Sequence, residues 1–343
     1  MDFCTLFDSN YIDRVLVMYD SLEGVCSDVT LYVIAFDRMC YESLTELAPP
    51  HMVVIPYDEF EDDVLRTVKA DRSRREYLWT CSGYSIRYIM KRFDLSHITY
   101  VDSDLYFYVS PDHVIQKFLD SGCDAAIVSH RFSDHPENTY TARVCGQYCV
   151  EFNSFRNTEN GMKILDWWID RCIECCPQVP TDGLFGDQKY LDRFPDMFDG
   201  VYVYEDFGLG IAPWNVDDYV KSGKNGIRNR YTGESGSLVF YHFHSLDVYE
   251  DGGSNIRVFV RPGKHDAELV ESLYKPYMKR LMEKRLFLRE RFGLFGLDDN
   301  GTEGRLKDGE IKAFLTCEPN LWFLIRKIWR YLLYKKKDYM RYE

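Results

Sequence analysis

The sequence lacks the features of exported, nucleic-acid-binding and repetitive proteins. Residues 1–8 contain neither a basic segment nor a long apolar run, so we expect no signal peptide. The formal net charge of -13 makes nonspecific binding to nucleic-acid phosphates unfavourable. We find no internal repeat and no low-complexity segment. These absences leave a globular protein that binds no nucleic acid.

What the sequence does contain is typical of a large buried core. Of the 343 residues, 45% are hydrophobic and 16% are aromatic, which predicts one large α/β domain or such a domain with an appendage. The 11 cysteines, without an export signal, are interpreted as reduced thiols of a cytosolic protein. Zinc could use the spacing of Cys172, Cys175 and Cys176, but no fourth ligand is evident nearby. Buried or semi-buried thiols are therefore favoured.

Apolar runs alternate with amphipathic segments through the first 130 residues. Strands are predicted at residues 3–7, 29–36, 52–55 and 124–129 and in the segment from 97 that leads to Asp102. Helices are predicted between them, at residues 11–22, 38–47, 58–69 and 76–93. This alternation predicts a doubly wound, mostly parallel sheet covered on both faces. Farther along, residues 148–155 and 238–243 are predicted strands, and 159–175 and 269–292 are predicted helices.

Two carboxylates follow the strand that begins at residue 97. Asp102 and Asp104, separated by Ser103, come where that strand leaves the carboxyl end of the sheet, the edge at which open α/β sheets bind ligands. In extended backbone the two side chains point the same way, and a bound divalent cation relieves their repulsion. Mg²⁺ and Mn²⁺ favour such oxygen ligands and bridge them to substrate phosphates. The motif predicts a metal–diphosphate site; a solvated turn and an aspartyl phosphatase are the alternatives.

Five segments resemble, in their order, those of one family of enzymes. They are Phe-Asp-Ser-Asn-Tyr at 7–11, Asp-Ser-Asp at 102–104, Gly-Asp-Gln-Lys-Tyr at 186–190, Ala-Pro-Trp-Asn at 212–215 and His-Phe-His at 242–244. Together they resemble glycosyltransferases of the GT-A fold, most of all the family-8-like nucleotide-diphospho-sugar transferases. The resemblance covers roughly residues 1–250. It implies a Rossmann-like, doubly wound mixed sheet with an Asp-x-Asp motif.

The resemblance also implies a metal site. In such enzymes a histidine near the end of the domain joins the two acids as a ligand. His242 is the best match and His244 the reserve, since alternation along a strand puts both on one face. We therefore expect Mn²⁺ or Mg²⁺ to be held by Asp102, Asp104 and His242.

The donor sugar nucleotide is expected along the same edge. Tyr11 would stack on the base while Asp8 or Asn10 bonds its edge, and Arg87 would meet the sugar or phosphate. A turn with a core aromatic residue, and a surface salt bridge for Arg87, are the alternatives. The full set that the resemblance implies for donor binding is Phe7, Asp8, Asn10, Tyr11, Trp79, Thr80, Arg87, Asp102, Ser103 and Asp104.

The reacting sugar and the acceptor are assigned to the second half of the domain. Asp187 and Gln188 match the segment beneath the anomeric carbon in retaining relatives, where they would stabilise or position the reacting sugar. The alternative is a helix N-cap at Asp187. Trp214 and Asn215 are expected to line the acceptor side, together with Asn153.

We expect a catalytic domain at residues 1–260, with a nucleotide-sugar half at 1–125 and an acceptor half at 126–260. A helical extension at 261–343 would follow. Its tail, 321–342, mixes tryptophans and other bulky apolar residues with cations. Charges interrupt every apolar run well short of the ~20 residues that span a bilayer. The tail is predicted to be a basic amphipathic helix on an anionic membrane surface; docking on the domain is the alternative.

The predicted function is metal-dependent transfer of a hexose from a nucleotide-diphosphate sugar, UDP-linked in the favoured case, to a glycan or lipid-linked glycan. Retention of configuration follows from the same resemblance, whereas a place in surface polysaccharide or lipopolysaccharide synthesis is inferred from the basic tail. The location would be cytoplasmic, on the inner face of the cytoplasmic membrane. The alternatives are a noncatalytic glycan-binding module and a sugar-1-phosphate nucleotidyltransferase. The latter needs a glycine-rich loop after the first strand, and residues 7–11 contain no glycine.

Overall fold

The structure is a computed structural model that describes residues 1–133, 136–246, 255–257, 265–294 and 339–341. The strands are β1 (Asp2–Phe7), β2 (Thr30–Ala35), β3 (Met52–Pro56), β4 (His97–Val101), β5 (Leu105–Phe107), β6 (Ala125–Ser129), β7 (Tyr148–Arg156), β8 (Val201–Tyr204), β9 (Tyr219–Lys221), β10 (Gly226–Asn229), β11 (Ser235–Ser237), β12 (Phe240–His242), β13 (Asn255–Arg257) and β14 (Tyr339–Arg341). The α-helices are α1 (Ile12–Glu23), α2 (Arg38–Leu47), α3 (Tyr57–Phe60), α4 (Asp63–Ala70), α5 (Arg74–Phe93), α6 (Asp112–Ser121), α7 (Pro136–Cys145), α8 (Glu159–Glu174), α9 (Phe194–Met197) and α10 (Ala267–Phe292). Short 3₁₀ helices lie at Ser9–Tyr11, Gln188–Arg193 and Val216–Asp218.

A seven-stranded sheet in the order β3-β2-β1-β4-β7-β6-β8 forms the centre of the first unit. Strands β3, β2, β1 and β4 are parallel neighbours, and β6 is parallel to β8. Strand β7 runs antiparallel to both β4 and β6. The predicted doubly wound, mixed α/β sheet is therefore confirmed.

The sheet is covered on both faces because its strands are apolar on both sides. Phe3 of β1 packs into one buried cluster with side chains of α1, α2 and α6. Its neighbour Cys4 packs into a second cluster with side chains of α5 and α8. Strands buried on both faces have near-continuous apolar sequences, which is the pattern seen in residues 29–36. The interpretation of buried thiols also fits Cys172 and Cys176, which are both buried in α8 or just beyond it.

Side-chain caps fix where several helices begin. The Ser73 hydroxyl accepts from the Glu76 amide and Glu76 bonds back to Ser73, a capping box that starts α5. The single helix predicted at residues 58–69 is wrong, because α3 ends before Glu61 and α4 begins at Asp63. Asp62 lies between them in extended conformation, and its carboxylate caps the amide of Leu65.

Helix α10 packs against α1 in the same unit. A buried ion pair joins them, in which Arg285 Nε donates to Asp13 Oδ2 at 2.6 Å. Both side chains are almost completely buried. The predicted helix at 269–292 is confirmed, with α10 beginning two residues earlier after the cap at Asp266.

The chain divides into two compact units, residues 1–244 with 260–297, and residues 245–259 with 298–343. In the second unit, the described residues form an antiparallel pair of β13 and β14. The helix predicted for the tail is therefore wrong at residues 339–341, where pairing with β13 supplies the backbone hydrogen bonds. Residues 321–338 of the predicted tail lie outside the described residues. Within the described part of the chain, no helix has the length and apolar character needed to cross a membrane.

Candidate active site

The acidic pair lies in a turn that backbone hydrogen bonds hold at both ends. Strand β4 delivers Asp102 to the carboxyl edge of the sheet, where its amide donates to the Glu151 carbonyl at 3.0 Å. At the other end, the Phe243 amide donates to the Asp104 carbonyl at 3.0 Å. Ser103 lies between the two acids and is partly exposed. The turn is thus fixed to both β7 and the segment after β12.

His242 reaches the acids because β12 pairs antiparallel with β5, with His242 opposite Leu105. Its Nε2 lies 3.0 Å from Asp104 Oδ1 and 3.8 Å from Asp102 Oδ2. The structure therefore brings together the three residues that the sequence analysis assigned to the metal. The second histidine, His244, is exposed, and its ring centroid lies 5.4 Å from that of His242.

A third carboxylate contacts the same imidazole. Glu151 Oε2 lies 2.5 Å from His242 Nδ1. Burial alone lowers the pKa of His242, but the charges of Asp104 and Glu151 outweigh it and raise that pKa well above its usual value. Each nitrogen of the ring therefore faces a carboxylate.

Charge and burial separate the two aspartates. Burial raises the pKa of Asp102 to about 7; the charge of His242 opposes this rise, and those of Asp104, Glu151 and Asp187 add to it. Burial also acts to raise the pKa of Asp104, but the charge and hydrogen bond of His242 lower it to about 2. The site holds more carboxylate charge than its side chains neutralise, which favours a bound cation.

The donor atoms of the site suit a divalent cation. Atoms of Asp102, Cys149 and His242 that could ligate a metal lie within 4.8 Å of one another. Carboxylate oxygens are the usual ligands of Mg²⁺ and Mn²⁺, whereas imidazole and thiolate favour softer ions. The acids and the histidine therefore fit a divalent cation.

Trp214 forms a wall next to the histidines. Its ring centroid is 5.6 Å from that of His242 and 5.5 Å from that of His244. The Trp214 Nε1 donates to the His130 carbonyl at 2.6 Å, which fixes the ring. Burial lowers the pKa of His130 to about 3, so this imidazole is neutral near pH 7. Trp214 thus offers a rigid aromatic face close to the acidic pair.

The two asparagines assigned to the acceptor have structural contacts. Asn215 is 1% exposed; its Oδ1 accepts from the Ala212 amide, and its Nδ2 donates to the carbonyls of His130, Arg131 and Gly210. Asn153 is fully buried in β7, where its Oδ1 accepts from the Val128 amide. Both side chains are thus buried and bonded to backbone groups, and their role in acceptor binding stays a prediction. Asn215 holds the loop that carries Trp214.

The segment with Asp187 and Gln188 packs beneath α5. Gly186 has φ +53°, and a Cβ there would lie 3.2 Å from the Trp79 ring, so glycine permits the close approach. Burial raises the pKa of Asp187 to about 6, and a hydrogen bond from Ser82 opposes this rise. Asp187 occupies the N-cap position of the 3₁₀ helix Gln188–Arg193, as the alternative interpretation has it, but its side chain makes no capping hydrogen bond. Gln188 donates from Nε2 to the Cys145 carbonyl at 2.8 Å.

The loop after β1 is held by charged groups. Asp8 Oδ1 accepts from the Asn10 amide at 2.9 Å, and Asp8 Oδ2 pairs with Arg74 Nε at 2.5 Å. Arg74 also contacts Asp37 at 3.3 Å. Next to this pair is a cavity of about 420 Å³, lined by aromatic and cationic groups that include Phe36, Tyr57, Tyr77, Lys69, Arg72 and Arg74.

Other residues assigned to the donor have different surroundings. The Phe7 side chain belongs to the core, so it cannot contact a ligand. Asn10 is exposed at the carboxyl edge. The Tyr11 ring lies 4.8 Å from the Arg14 guanidinium, and its stacking on a base stays a prediction. Trp79 is partly buried against Phe185, with ring centroids 5.8 Å apart.

Two residues of α5 are used for packing between elements. Arg87 pairs with Asp166 of α8 at 2.8 Å, which is the salt bridge of the alternative interpretation; its contact with the donor stays a prediction. Thr80 is buried; its hydroxyl accepts from Arg72 at 2.7 Å and donates to the Glu76 carbonyl at 2.7 Å. It has no free group for a donor.

Sequence analysis missed Glu151, Cys149 and Arg74. Glu151 had a detectable signal, because an acid in the middle of a predicted buried strand is unusual without a partner. Cys149 and Arg74 gave no such signal, since a cysteine in a strand and an arginine at a helix start are ordinary.

No family model matches the sequence. The chain is similar to two proteins of Bacillus subtilis (strain 168), both described as uncharacterized. It is 28% identical to YfnF over 306 residues, which cover 87% of this chain and 98% of YfnF. It is 27% identical to YfnD over 282 residues, which cover 81% of this chain and 88% of YfnD.

Similar solved structures include the galactosyltransferase LgtC in complex with donor and acceptor sugar analogues, at a TM-score of 0.48 and 12% identity, covering 82% of this chain and 96% of LgtC. Mouse xyloside xylosyltransferase 1 has a TM-score of 0.45 at 12% identity, covering 71% of this chain and 98% of that protein. The glycosyltransferase GlyE of Streptococcus pneumoniae TIGR4 has a TM-score of 0.44 at 15% identity, covering 83% of this chain and 63% of GlyE. Each of these three structures is a glycosyltransferase, the kind of enzyme that the sequence resemblance implied.

Proposed function

We propose that the protein is a metal-dependent glycosyltransferase that moves a hexose from a nucleotide-diphosphate sugar to a glycan. The observation that carries the proposal is the meeting of Asp102, Asp104 and His242 at the carboxyl edge of β4. Mn²⁺ or Mg²⁺ bound there would neutralise the diphosphate as it leaves. An acidic protein needs such a local cation to bind an anionic donor.

The donor's nucleoside is proposed to lie near the loop after β1. Asn10 is exposed there, and the adjacent cavity of about 420 Å³ has both aromatic and cationic walls. Aromatic side chains suit the face of a base, and cations suit its phosphates. UDP is the nucleotide that the sequence resemblance favours.

The reacting sugar is proposed to lie between the acidic pair and Asp187. The two regions are close enough for the charge of Asp187 to raise the pKa of Asp102. Asp187 and Gln188 would position the sugar and stabilise positive charge at its anomeric carbon. Retention of configuration belongs to this part of the proposal.

The acceptor is proposed to lie on the Trp214 side of the acids, where an aromatic face suits the C–H surface of a sugar. We propose a glycan acceptor, lipid-linked in surface polysaccharide or lipopolysaccharide synthesis. The basic sequence at 321–342 would hold the enzyme on the inner face of the cytoplasmic membrane.

A panel of nucleotide sugars tests the proposal. The full-length protein is incubated with each donor and Mn²⁺, with and without chelator, and nucleotide release is measured. We expect release from at least one donor, UDP-linked, and only without chelator. Silence across the panel would favour a noncatalytic glycan-binding module. Formation of a sugar 1-phosphate and a nucleoside triphosphate when pyrophosphate is added would indicate a nucleotidyltransferase.

Asp104→Asn gives the matching residue test. Loss of a metal ligand should lower donor hydrolysis by more than about 100-fold with the fold intact, since even outer partners of metal ligands cost 10–100-fold. The exposed Asp120→Asn on α6 is the control with the same change of charge and should retain full activity. Wild-type turnover by Asp104→Asn would contradict the metal assignment.

A further inference from the structure

Glu151 is a carboxylate in a position where charge is costly. It is 0% exposed and lies within β7, a strand whose other residues between 149 and 155 carry no charge. A buried ion is retained only when it has a partner at close range. The presence of an acid at this position should therefore be explained by the groups that contact its carboxylate.

The contacts of Glu151 connect two parts of the candidate active site. Its side-chain Oε2 lies 2.5 Å from His242 Nδ1, and its backbone carbonyl accepts from the Asp102 amide at 3.0 Å. The first contact fixes the histidine ring, and the second fixes the start of the acidic turn. A single residue thus sets the position of a ring on β12 relative to an acid after β4.

The side-chain contact determines which nitrogen of His242 is available. With Nδ1 held by Glu151, the opposite nitrogen, Nε2, faces Asp104 at 3.0 Å and Asp102 at 3.8 Å. A histidine that ligates a metal through one nitrogen usually donates its other N–H to a carboxylate, carbonyl or water, which sets the tautomer and the ring orientation. The Glu151 contact has this arrangement.

We propose that Glu151 is the positioning residue that holds His242 with Nε2 directed at the metal bound by Asp102 and Asp104. This inference rests on the metal site of the proposed function. It assigns Glu151 a role outside the ligand set, because its carboxylate holds the nitrogen that faces away from the acids. The rival explanation is an ion pair that only stabilises the folded chain.

Mn²⁺ binding by the full-length protein, measured as free Mn²⁺ by electron paramagnetic resonance without any sugar nucleotide, separates the two explanations. Glu151→Ala removes the contact, and we expect about 10- to 100-fold weaker binding. Glu151→Gln keeps an oxygen that can accept from Nδ1–H, so it should retain tighter binding than Glu151→Ala. Where Glu151→Ala fails to fold, Glu151→Asp, which shortens the reach to His242, takes its place.

Ser154→Ala is the matched control. Ser154 is a fully buried polar residue of the same strand, and its hydroxyl contacts Thr99 at 2.7 Å and Tyr204 at 2.8 Å. This variant should lose stability and bind Mn²⁺ as tightly as the wild-type protein. In donor hydrolysis, Glu151→Gln should need more Mn²⁺ but approach the wild-type kcat at saturating Mn²⁺, which a loss of stability alone would not produce.

The inference would be overturned if Glu151→Gln, together with whichever of Glu151→Ala and Glu151→Asp folds, bound Mn²⁺ as tightly as the wild-type protein. It would also be overturned if the wild-type protein bound no Mn²⁺. A different result addresses the proposed function alone. If Mn²⁺ affinity depends on residue 151 while no nucleotide sugar is turned over, glycosyl transfer fails and the role of Glu151 stands.

Discussion

At the scale of single residues, negative charge is concentrated beneath the acidic pair. Asp187 is 5% exposed, and its charge contributes to the raised pKa of Asp102. Trp168 lies next to it and donates from Nε1 to the Asp187 carbonyl at 2.9 Å. Burial raises the pKa of the Asp187 carboxyl from 3.8 to about 6. A carboxyl group with a raised pKa can gain or lose a proton near neutral pH, but its burial lowers the stability of the folded protein when it is ionised.

The pH dependence of stability should reveal that cost. Because the folded protein binds the Asp187 proton more tightly than the unfolded chain, stability increases as the pH falls from above 6 towards 4. At pH 8 the ionised carboxyl costs about 3 kcal/mol. Asp187→Asn should therefore be more stable than the wild-type protein at pH 8, by up to about 3 kcal/mol, with the difference vanishing near pH 4.

Urea unfolding at pH 4 to 8 measures this difference in the free energy of unfolding. Asp120→Asn, an exposed change of the same charge, should show no such dependence relative to the wild-type protein. A constant difference between Asp187→Asn and the wild-type protein across this range would show that Asp187 is not a buried acid.

The residues of the candidate site were predictable to different degrees. Asp102 and Asp104 could be found because a strand end and the i, i+2 spacing are local properties of the sequence. His242 needed the family resemblance, since nothing local shows that β12 pairs with β5. For Asn215 the sequence predicted only the expected acceptor role and contained no sign that backbone groups take up its amide.

At the scale of elements, the buried pair of Asp13 and Arg285 ties α10 to α1. Asp13 is adjacent to Arg14, whose charge contributes to the lowered pKa of Asp104. The contact between the helices therefore lies close to the candidate site. Removing this contact should lower the free energy of unfolding.

Arg285→Met should lower the free energy of unfolding by up to about 3 kcal/mol, because buried Asp13 loses its closer cationic partner and keeps only Arg14, at 3.5 Å. The double variant Asp13→Leu with Arg285→Met removes the pair but takes the carboxylate away from Arg14, so it should recover only part of this loss. Urea unfolding of the two single variants and the double variant gives the coupling energy. Additive losses would show that the two side chains do not interact.

Elements with continuous apolar runs or clear caps could be predicted, as β2 and α5 illustrate. The break between α3 and α4 was missed because the apolar residues Phe60, Val64, Leu65 and Val68 have a spacing that fits one continuous helix as well as two short ones. The sequence also did not predict that β7 runs antiparallel to its neighbours, since its residues would fit either strand direction in a sheet that is covered on both faces.

At the scale of the whole molecule, charge is distributed unevenly along the chain. The formal net charge is -13, whereas residues 321–337 contain six cations and no acid. Such a segment is attracted to anionic lipid while the remainder of the chain is repelled. Its structure lies outside the described residues, so the membrane proposal depends on the sequence.

Replacing Lys335, Lys336 and Lys337 by Gln in the full-length chain should weaken binding to phosphatidylserine vesicles by about 100-fold, at about 1 kcal/mol per lysine. Vesicle sedimentation measures the affinity. The control makes the same change at three exposed lysines elsewhere, Lys91, Lys163 and Lys224, and should bind as the wild-type chain does. Equal binding by all three proteins would remove the membrane proposal.

The reversed direction of β7 has a consequence for how the candidate site tolerates movement. In a wholly parallel sheet, the ligand-binding edge receives only strand ends and the loops that follow them. Here an antiparallel strand brings its first half to that edge, so Glu151 supports the histidine from inside the ladder. Because this support comes from a strand of the sheet, movement of the surrounding loops would leave the position of the His242 ring unchanged.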